Sequence, residues 1–503
     1  MDGGWPGPWF WAGGYDVARE VLQRGTAAVL VVAFWAVLRQ WRPLLGVRGL
    51  TPVAGVVARS SWRSAPSVLR WWRSDRFVVG LGGAGAGLAA LLVAGVPQRG
   101  PWWVTTIAFL VLWAAYLSVV NVGGRFYGFG WESLLCEVTF LVAFLGSSGE
   151  GVAPPLVVLL LVRWCLFRVE LGAGLIKVRG DRAWRRLTAL DFHHETQPLP
   201  GPFSWHAHHL PRWWHRVEVV GNHVTQLVVP FAFFAPQPVA SVAGGLVVLT
   251  QAWLVVTGNF AWLNWLTIVL GASLVGDASW AWLGERVGVG PGPAGADDAA
   301  AAGGPVALVV VVLAVGALLV VLSWRPARNL VARRQLMNAS FEPLRLVNAY
   351  GAFGTVSRRR DEVVLEGSTA RYPGPEDWVE YAFRGKPGDV TRRPPQVAPY
   401  HLRLDWQMWF LALGSPEVGW FEVLLLRLLQ ADAATLRLLR ADPFAHDPAG
   451  PAPRWVRARL FRYRFSTREE RRGTGAWWVR RELAVLVEPV DLARMRRLLG
   501  PGA

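Results

Sequence analysis

The stretch from Val157 to Val178, VVLLLVRWCLFRVELGAGLIKV, decides the fold. It is long and apolar enough to cross a bilayer, which takes about 20 mostly apolar residues in a helix. It nevertheless carries Arg163, Glu170 and Lys177, spaced seven and seven. On a helix a seven-residue step returns to within about 20° of its start, so the three groups lie on one stripe. A charge near the bilayer centre costs roughly 2.5–3.5 kcal/mol, so such a stripe must face other helices and not lipid. One helix that needs protein around its charged face implies a bundle.

The same ruler carried outward finds apolar segments at about 18–38, 77–96, 102–122, 131–147, 155–177, 221–236, 239–256, 259–276 and 305–323. The segments at 131–147 and 221–236 are short and read as re-entrant or paired within the bundle. The expected count is therefore seven to nine spans. Composition agrees: the 503 residues are 53% hydrophobic, hold 30 tryptophans and are only 17% charged, whereas soluble chains run near 25% charged. This excludes disorder, a coiled coil and a disulfide scaffold. Cys136 and Cys165 fall inside apolar segments, where they read as small buried hydrophobes.

The net charge of +17 points to anionic lipid and not to nucleic acid, because the basic residues flank apolar runs and form no stripe on a soluble domain. Only Lys177 and Lys386 are lysines; this arginine bias, with abundant Ala, Gly and Val, suggests a GC-rich, bacterial source. Near the N-terminus Trp5, Pro6, Trp9, Phe10 and Trp11 form an interfacial pattern with no basic n-region, so the first span reads as an uncleaved signal anchor.

Residues 1–324 thus read as a transmembrane helical domain with an interfacial loop at about 179–220 and a flexible Gly, Pro, Ala and Asp loop at 288–304. From 325 to 503 the aliphatic runs stop, and a water-facing α+β domain follows. Alternation marks strands near Leu344 to Val356, Glu362 to Gly367, Trp378 to Arg384, Trp455 to Ser466 and Trp477 to Val487, forming an antiparallel sheet. Helical spacing marks Phe421 to Leu429 and Ala433 to Arg440.

The polar residues within and beside the apolar segments form the candidate functional cluster. Glu132 and Glu137 are acidic partners for Arg163; Glu170 pairs with a neighbouring helix, and Lys177 reaches towards the interface. Seven of the nine histidines fall between His193 and His223, with Asp191 and Glu195 among them; His193, His194, His206, His208 and His209 are the candidates. Histidines and carboxylates at this density suit proton transfer or metal binding. Their spacing matches no ligand motif, and the prolines at 198, 200, 202 and 211 predict a loop and no helix presenting ligands. Phe192, Phe203, Trp205, Trp213 and Trp214 place that loop at the membrane interface, with rings among headgroups. No metal or cofactor is assigned.

Other signals are weaker. No GxSxG elbow, P-loop or dinucleotide fingerprint is present. Thr257, Asn259, Asn264 and Thr267 are expected to hydrogen-bond across helices. The run RGKPGDVTRRPP, with Arg384, Lys386, Arg392 and Arg393, reads as a solvated basic loop.

Several longer runs resemble the lipase maturation factor family. They are RFYGFGWESLLCEVTFLVAFL from Arg125, RWCLFRVELGAGLIKVRGDRAWRRLTALDFHHETQPLPGPFSWHAHHLP from Arg163 and GNFAWLNWLTIVL from Gly258. Three more follow in the C-terminal part: VNAYGAFGTVSRRRDEVVLEG from Val347, YAFRGKPGDVTRRPPQVAPYHLRLDWQMWF from Tyr381 and RRGTGAWWVRREL from Arg471. They occur in family order and reach from about Leu44 to Leu483. The resemblance implies a multi-pass membrane protein which, in animals, sits in the endoplasmic reticulum and helps dimeric secreted lipases fold and assemble. It supplies no agreed catalytic residues. The matching candidates for function are the loop Asp191 to His209 and the segment Asn348 to Gly354, where Gly351 and Gly354 suit a bulge in a strand.

The reading is thus a membrane-embedded, chaperone-like factor in the cell membrane of a bacterium, with the bilayer and an exported lipase or similar protein as partners and no nucleic acid. The alternative is a membrane enzyme acting on a lipid or lipid-modified substrate through the charged and histidine cluster. A transporter comes third, because no inverted repeat is visible. Arg325, Arg328, Arg333 and Arg334 after the last span favour a cytoplasmic C-terminal domain, while client handling favours the opposite face.

Overall fold

The computed structural model describes residues 8–286 and 304–500, apart from 417, 449 and 451. The expected flexible loop lies outside the described residues except for Gly304, as do Trp5 and Pro6. Among the described residues the first part is organised by α1 (Asp16–Leu45), α2 (Asp75–Val93), α3 (Trp102–Val122), α4 (Gly130–Val142), α5 (Leu156–Arg179), α6 (Leu190–Thr196), α7 (Ser204–His208), α8 (Arg212–Leu227), α9 (Val239–Thr257), α10 (Leu263–Gly271), α11 (Asp277–Arg286) and α12 (Val306–Leu322), with short helical turns at Val53–Ala58 and Arg182–Arg185 between them. Prolines 101, 155, 211, 238 and 305 stand immediately before α3, α5, α8, α9 and α12. At a helix start the missing N–H leaves no intrahelical bond unmade. Where α2 begins, the Ser74 side chain accepts from Phe77 N.

The chain is a multi-pass membrane protein. Among the described residues six helices are long and apolar enough to cross a membrane: Asp16–Leu45, Asp75–Val93, Trp102–Val122, Arg212–Phe234, Val239–Thr257 and Val306–Val331. A seventh is the pair Leu263–Leu274 and Asp277–Arg286, bent by 110°, if it is one span. The expected seven to nine is slightly more than these helices show. Segment 131–147 yields only the 13-residue α4, about 20 Å long. Helix α5 has the length but carries Arg163, Arg168, Glu170 and Lys177, all four buried within the protein.

At one end of the bundle the Asp277 carboxylate accepts from Asp16 N and Val17 N, at 2.9 and 3.1 Å. At the other, where α1 finishes, the C-terminal part is attached. Gln40 donates to His401 O (2.7 Å) and accepts from Arg403 N (3.1 Å), and Arg427 Nε donates to Arg48 O (3.1 Å). One apolar core runs from Phe34 and Trp41 of α1 through Leu404 and Trp406 to Leu424 and Val456.

The C-terminal part holds a two-stranded ladder, β1 (Ala339–Ser340) with β2 (Asn348–Ala349), and a four-stranded antiparallel sheet. The sheet comprises β3 (Arg360–Ser368), β4 (Val379–Glu380), β5 (Trp455–Phe465) and β6 (Trp478–Val490), in the order β4-β3-β5-β6. Helices α13 (Arg403–Ala412) and α14 (Gly419–Leu429) precede β5.

The expected strands at 362–367, 455–466 and 477–487 are present. Two shrink: Leu344 to Val356 keeps only Asn348–Ala349, and Trp378 to Arg384 keeps only Val379–Glu380. In the lost parts backbone groups go elsewhere: Gly354 O accepts from Asp181 N, and Ala382 O accepts from Arg440 N. The second predicted helix stops at Leu436.

Candidate functional site

Glu132 sits in the first turn of α4 with its side chain fully buried. Its Oε1 accepts from Arg403 Nη1 at 2.6 Å and lies 3.2 Å from His401 Nδ1, while Tyr116 OH donates to Oε2. The Arg403 guanidinium lies 3.5 Å from the centroid of the Tyr127 ring. Phe129, Trp131, Trp262 and Trp406 wall in His401. Burial first, and then Arg403, hold this imidazole down to about 4, so it is neutral near pH 7.

Glu137 stands one and a half turns further along α4. It pairs with Arg168 and accepts from Asn348 N (3.0 Å), Asn348 Nδ2 (2.9 Å) and Tyr350 OH (2.7 Å). Arg168 Nη1 also donates to Asn348 O. The two glutamates therefore serve Arg403 and Arg168, and neither pairs with Arg163 as expected. Arg163 Nε instead donates to Ser273 O (2.9 Å), and its guanidinium carbon lies 5.1 Å from the centroid of the Tyr15 ring. The seven-residue stripe exists, but its members lie about 10 Å apart along α5 and meet different neighbours. Glu170 accepts from Gln251 Nε2 (2.8 Å), whose Oε1 accepts from Asn264 Nδ2 (2.7 Å). Lys177 does not reach the interface: it is buried, 2.9 Å from both Asn222 Oδ1 and Gln226 Oε1.

The histidine segment is not the irregular loop that its prolines suggested. Prolines 198, 200 and 202 lie between α6 and α7, and Pro211 starts α8, so each falls outside a helix. His215 Nδ1 is 3.1 Å from Asp191 Oδ1. His194 is buried with neither ring nitrogen hydrogen-bonded, its Nε2 lying 3.8 Å from Glu218 Oε2. His208 Nε2 is 3.7 Å from Glu195 Oε2, which accepts from Phe465 N at 2.8 Å. His193 lies parallel to the Phe260 ring. His209 Nδ1 is 2.7 Å from Trp205 O, and His206 is exposed beside Trp477. Burial holds both His193 and His208 down to about 3, with neighbouring histidines adding to the effect. It pushes Glu195 up. Among the described residues no three His, Cys, Asp or Glu side chains converge as metal ligands would.

Trp205 is not among headgroups: it is buried, and its Nε1 donates to Ser466 O at 2.9 Å. Phe203, Trp213 and Trp214 are exposed. Arg360 of β3 clamps the chain after α6, donating to the carbonyls of Glu195, Gln197 and Pro198. It pairs with Glu362 at 2.6 Å, and Glu362 pairs with Lys386 at 2.9 Å. The basic run is thus only partly solvated: Lys386 is buried, Arg392 half-buried, and Arg384 and Arg393 are exposed.

Asn259 bonds Pro200 O, Pro395 O, Val397 N and Ala398 N, tying three segments together. Thr257 and Thr267 bond carbonyls of their own helices and not neighbours, the usual alternative for a helical hydroxyl. Gly351 and Gly354 make no strand bulge; they let the chain pass against Ile176 of α5.

Arg168, Arg360, Glu362, His401 and Arg403 thus complete the polar clusters without having been singled out, together with Asn348 and Tyr350 of the candidate segment Asn348 to Gly354. Arg168 lies off the seven-residue stripe, and the rest lie far along the chain. The one available signal for the five missed residues was that they fall in runs that resemble a known family. Glu132, Glu137 and Glu170 face protein donors. An opening of about 290 Å³ is lined by Ser64, Asn121, Ser340, Phe341, Glu342, Pro343 and Arg345, and by none of the twelve predicted site residues. The arrangement joins segments and gives no support to the alternative of a membrane enzyme.

Two family models match the chain: the lipase maturation factor transmembrane domain over residues 17–282 and the lipase maturation factor C-terminal domain over residues 346–488. Lipase maturation factor 1 of Bos taurus is 40% identical, the match covering 96% of this chain and 91% of that protein. Lipase maturation factor 1 of Homo sapiens is 38% identical, covering 96% and 89%. Lipase maturation factor 2 of Homo sapiens is 30% identical, covering 95% and 83%. These are animal proteins and lend no support to the bacterial source suggested by residue usage. No solved structure matches the chain.

Proposed function

The chain belongs to the lipase maturation factor family, and from that premise we propose that it is a membrane-embedded, chaperone-like factor assisting the folding or assembly of an exported lipase or a similar client. The observation that carries the reading is a match over nearly the whole of both this chain and its relatives, the C-terminal domain included. The polar clusters support it. Apart from the His194 ring, whose nitrogens have no hydrogen bond, most of their polar groups hold helices, the histidine segment and the sheet in one arrangement, as a scaffold that must present a fixed surface requires.

In this reading residues 1–324 are the membrane part and 325–503 the water-facing part. The segment Asp191 to His209 joins them, anchored by Arg360 and Trp205. Helices α4 and α5 run through the bundle lined by protein, which accounts for the finer count of seven to nine passes. The site of action is the membrane across which the client is exported.

The test is gene deletion. The yield of active exported lipase should fall while its transcript is unchanged; unaltered export of active enzyme overturns the proposal.

A further inference from the structure

The segment joining α1 to α2 carries Arg48, Arg59, Arg63, Arg70 and Arg73 between residues 46 and 74 and no acidic residue; Asp75, which opens α2 beside Arg76, accepts from Val47 N (3.4 Å) and forms no ion pair with an arginine among the described residues. We propose that it is a binding site for anionic phospholipid headgroups, on the leaflet facing the C-terminal part. The inference does not depend on the identity of any client.

Rigidity is the first observation. Arg70 is spent internally: its guanidinium donates to Ala65 O, Ser60 O, Ser60 Oγ and Ser61 O at 2.7–3.0 Å, closing the loop on itself. Ser67 Oγ donates to Ser118 O at 2.7 Å and Asn121 Nδ2 to Pro66 O at 3.0 Å, fastening the loop to α3. A site held this way loses little conformational freedom when it binds.

The second observation is what the loop displays. Trp62, Trp71 and Trp72 are 48%, 63% and 57% exposed. They form a continuous ladder: Trp62 to Trp71 at 4.7 Å between centroids, Trp71 to Trp72 at 6.2 Å, and Trp72 to Phe77, inside the first turn of α2, at 5.6 Å. Helix α2 is a membrane-crossing candidate, so the ladder starts where the apolar span ends. Indole rings at that depth match the aromatic belts of membrane proteins.

Charge decides the ligand. The side chains of Arg59, Arg63, Arg73 and Arg76 make no hydrogen bond or ion pair among the described residues, and all four residues are exposed. Most arginines of the sheet, by contrast, are paired with carboxylates, as Arg459 is with Glu366 and Arg480 with Glu380. Four unneutralised guanidinium groups interleaved with indoles, at the mouth of a span, complement phosphate diesters bearing net negative charge. A zwitterionic headgroup offers no net charge to match them, and a protein surface would need a cluster of carboxylates at bilayer depth.

The full chain is to be extracted from vesicles of equimolar phosphatidylcholine and phosphatidylglycerol, and the retained lipids counted by native mass spectrometry. Retained lipid should be enriched in phosphatidylglycerol. Replacing Arg59, Arg63, Arg73 and Arg76 by Gln should lower the enrichment about fivefold or more, while Lys at the same four positions should keep most of it. Gln at Arg481, Arg494, Arg496 and Arg497, exposed arginines of the C-terminal part, should leave it unchanged. The proposal is overturned if the first Gln variant retains the enrichment, if both Gln variants lose it equally, or if the Lys variant loses as much as the Gln variant. A photocrosslinker on Ser64→Cys, which is exposed whereas Cys136 and Cys165 are buried, should capture phosphatidylglycerol. Capture of a protein in its place overturns the proposal as well.

Discussion

Arg403 Nη1 lies 2.6 Å from Glu132 Oε1, with both side chains fully buried and the two residues 271 positions apart in the chain. The pair joins the C-terminal part to the helical bundle. Removing one partner of a buried ion pair leaves an uncompensated charge and typically costs about 3–5 kcal/mol. Arg403→Ala and Glu132→Ala should each lower stability by that order. The double variant should cost clearly less than the sum, as read by a double-mutant cycle of thermal unfolding in detergent.

Glu137 should behave as the second joint. Its carboxylate accepts from Arg168, Asn348 and Tyr350 at once. Glu137→Ala should destabilise by about 3 kcal/mol or more and free the segment from 345 to 354, giving faster hydrogen exchange there. Tyr350→Phe removes one neutral-donor bond to the same carboxylate and should cost only about 1–3 kcal/mol.

Helix α5 approaches the following domain closely at two glycines. A Cβ at Gly172 would lie 2.4 Å from Tyr350 O, and one at Gly180 would lie 2.3 Å from Gly354 O. Both neighbours are backbone and cannot swing aside. Gly172→Ala should therefore destabilise by about 1–3 kcal/mol, opposite in sign to its gain in helix propensity. Gly87, on α2 with nothing within 4 Å of the same added atom, is the control and should tolerate Ala.

Acid should loosen the histidine segment. His193 and His208 are held down to about 3, and His401 to about 4, by burial first in each case. The unfolded chain therefore takes up protons near pH 6.5, before the folded one does. Stability from these groups is complete above about pH 6.5 and falls as pH drops towards 4, by up to about 1.4 kcal/mol per pH unit for each histidine. Glu195 and Asp405, raised by burial, act in the opposite sense. Unfolding midpoints measured across that window should decline, and His208→Gln should flatten the slope.

The scaffold reading and the enzyme reading separate at His194, Glu170 and Lys177. The combined His194→Ala, Glu170→Gln and Lys177→Met variant should, where it folds, restore the export of active client in a deletion strain. A folded variant that leaves the deletion phenotype intact would restore the catalytic reading.

The helices of the bundle were legible because a bilayer demands long apolar runs, and the strands at 455–465 and 478–490 because alternation survives there. Glu132, Glu137 and Glu170 were legible as buried acids, since an acid inside an apolar run must face protein. Their partners were not. Helical periodicity reports one face of one helix, so it aligned Arg163 with Glu170 and said nothing of Arg168 on the side facing α4. Arg403 and Asn348 reach the glutamates from more than 200 residues away, and no local pattern encodes that pairing. The histidine segment misled for a local reason: four prolines in 14 residues look helix-breaking throughout, yet three of them share the short connection 197–203 between α6 and α7 and the fourth starts α8.

The most direct test of the account uses the purified full chain in a lipid nanodisc, added to a denatured secreted lipase during refolding. The fraction of lipase regaining activity should rise with the ratio of chain to client, and chain added after refolding should change nothing. Equal recovery with and without the chain, or an equal gain when it is added to lipase already folded, would contradict a role in maturation.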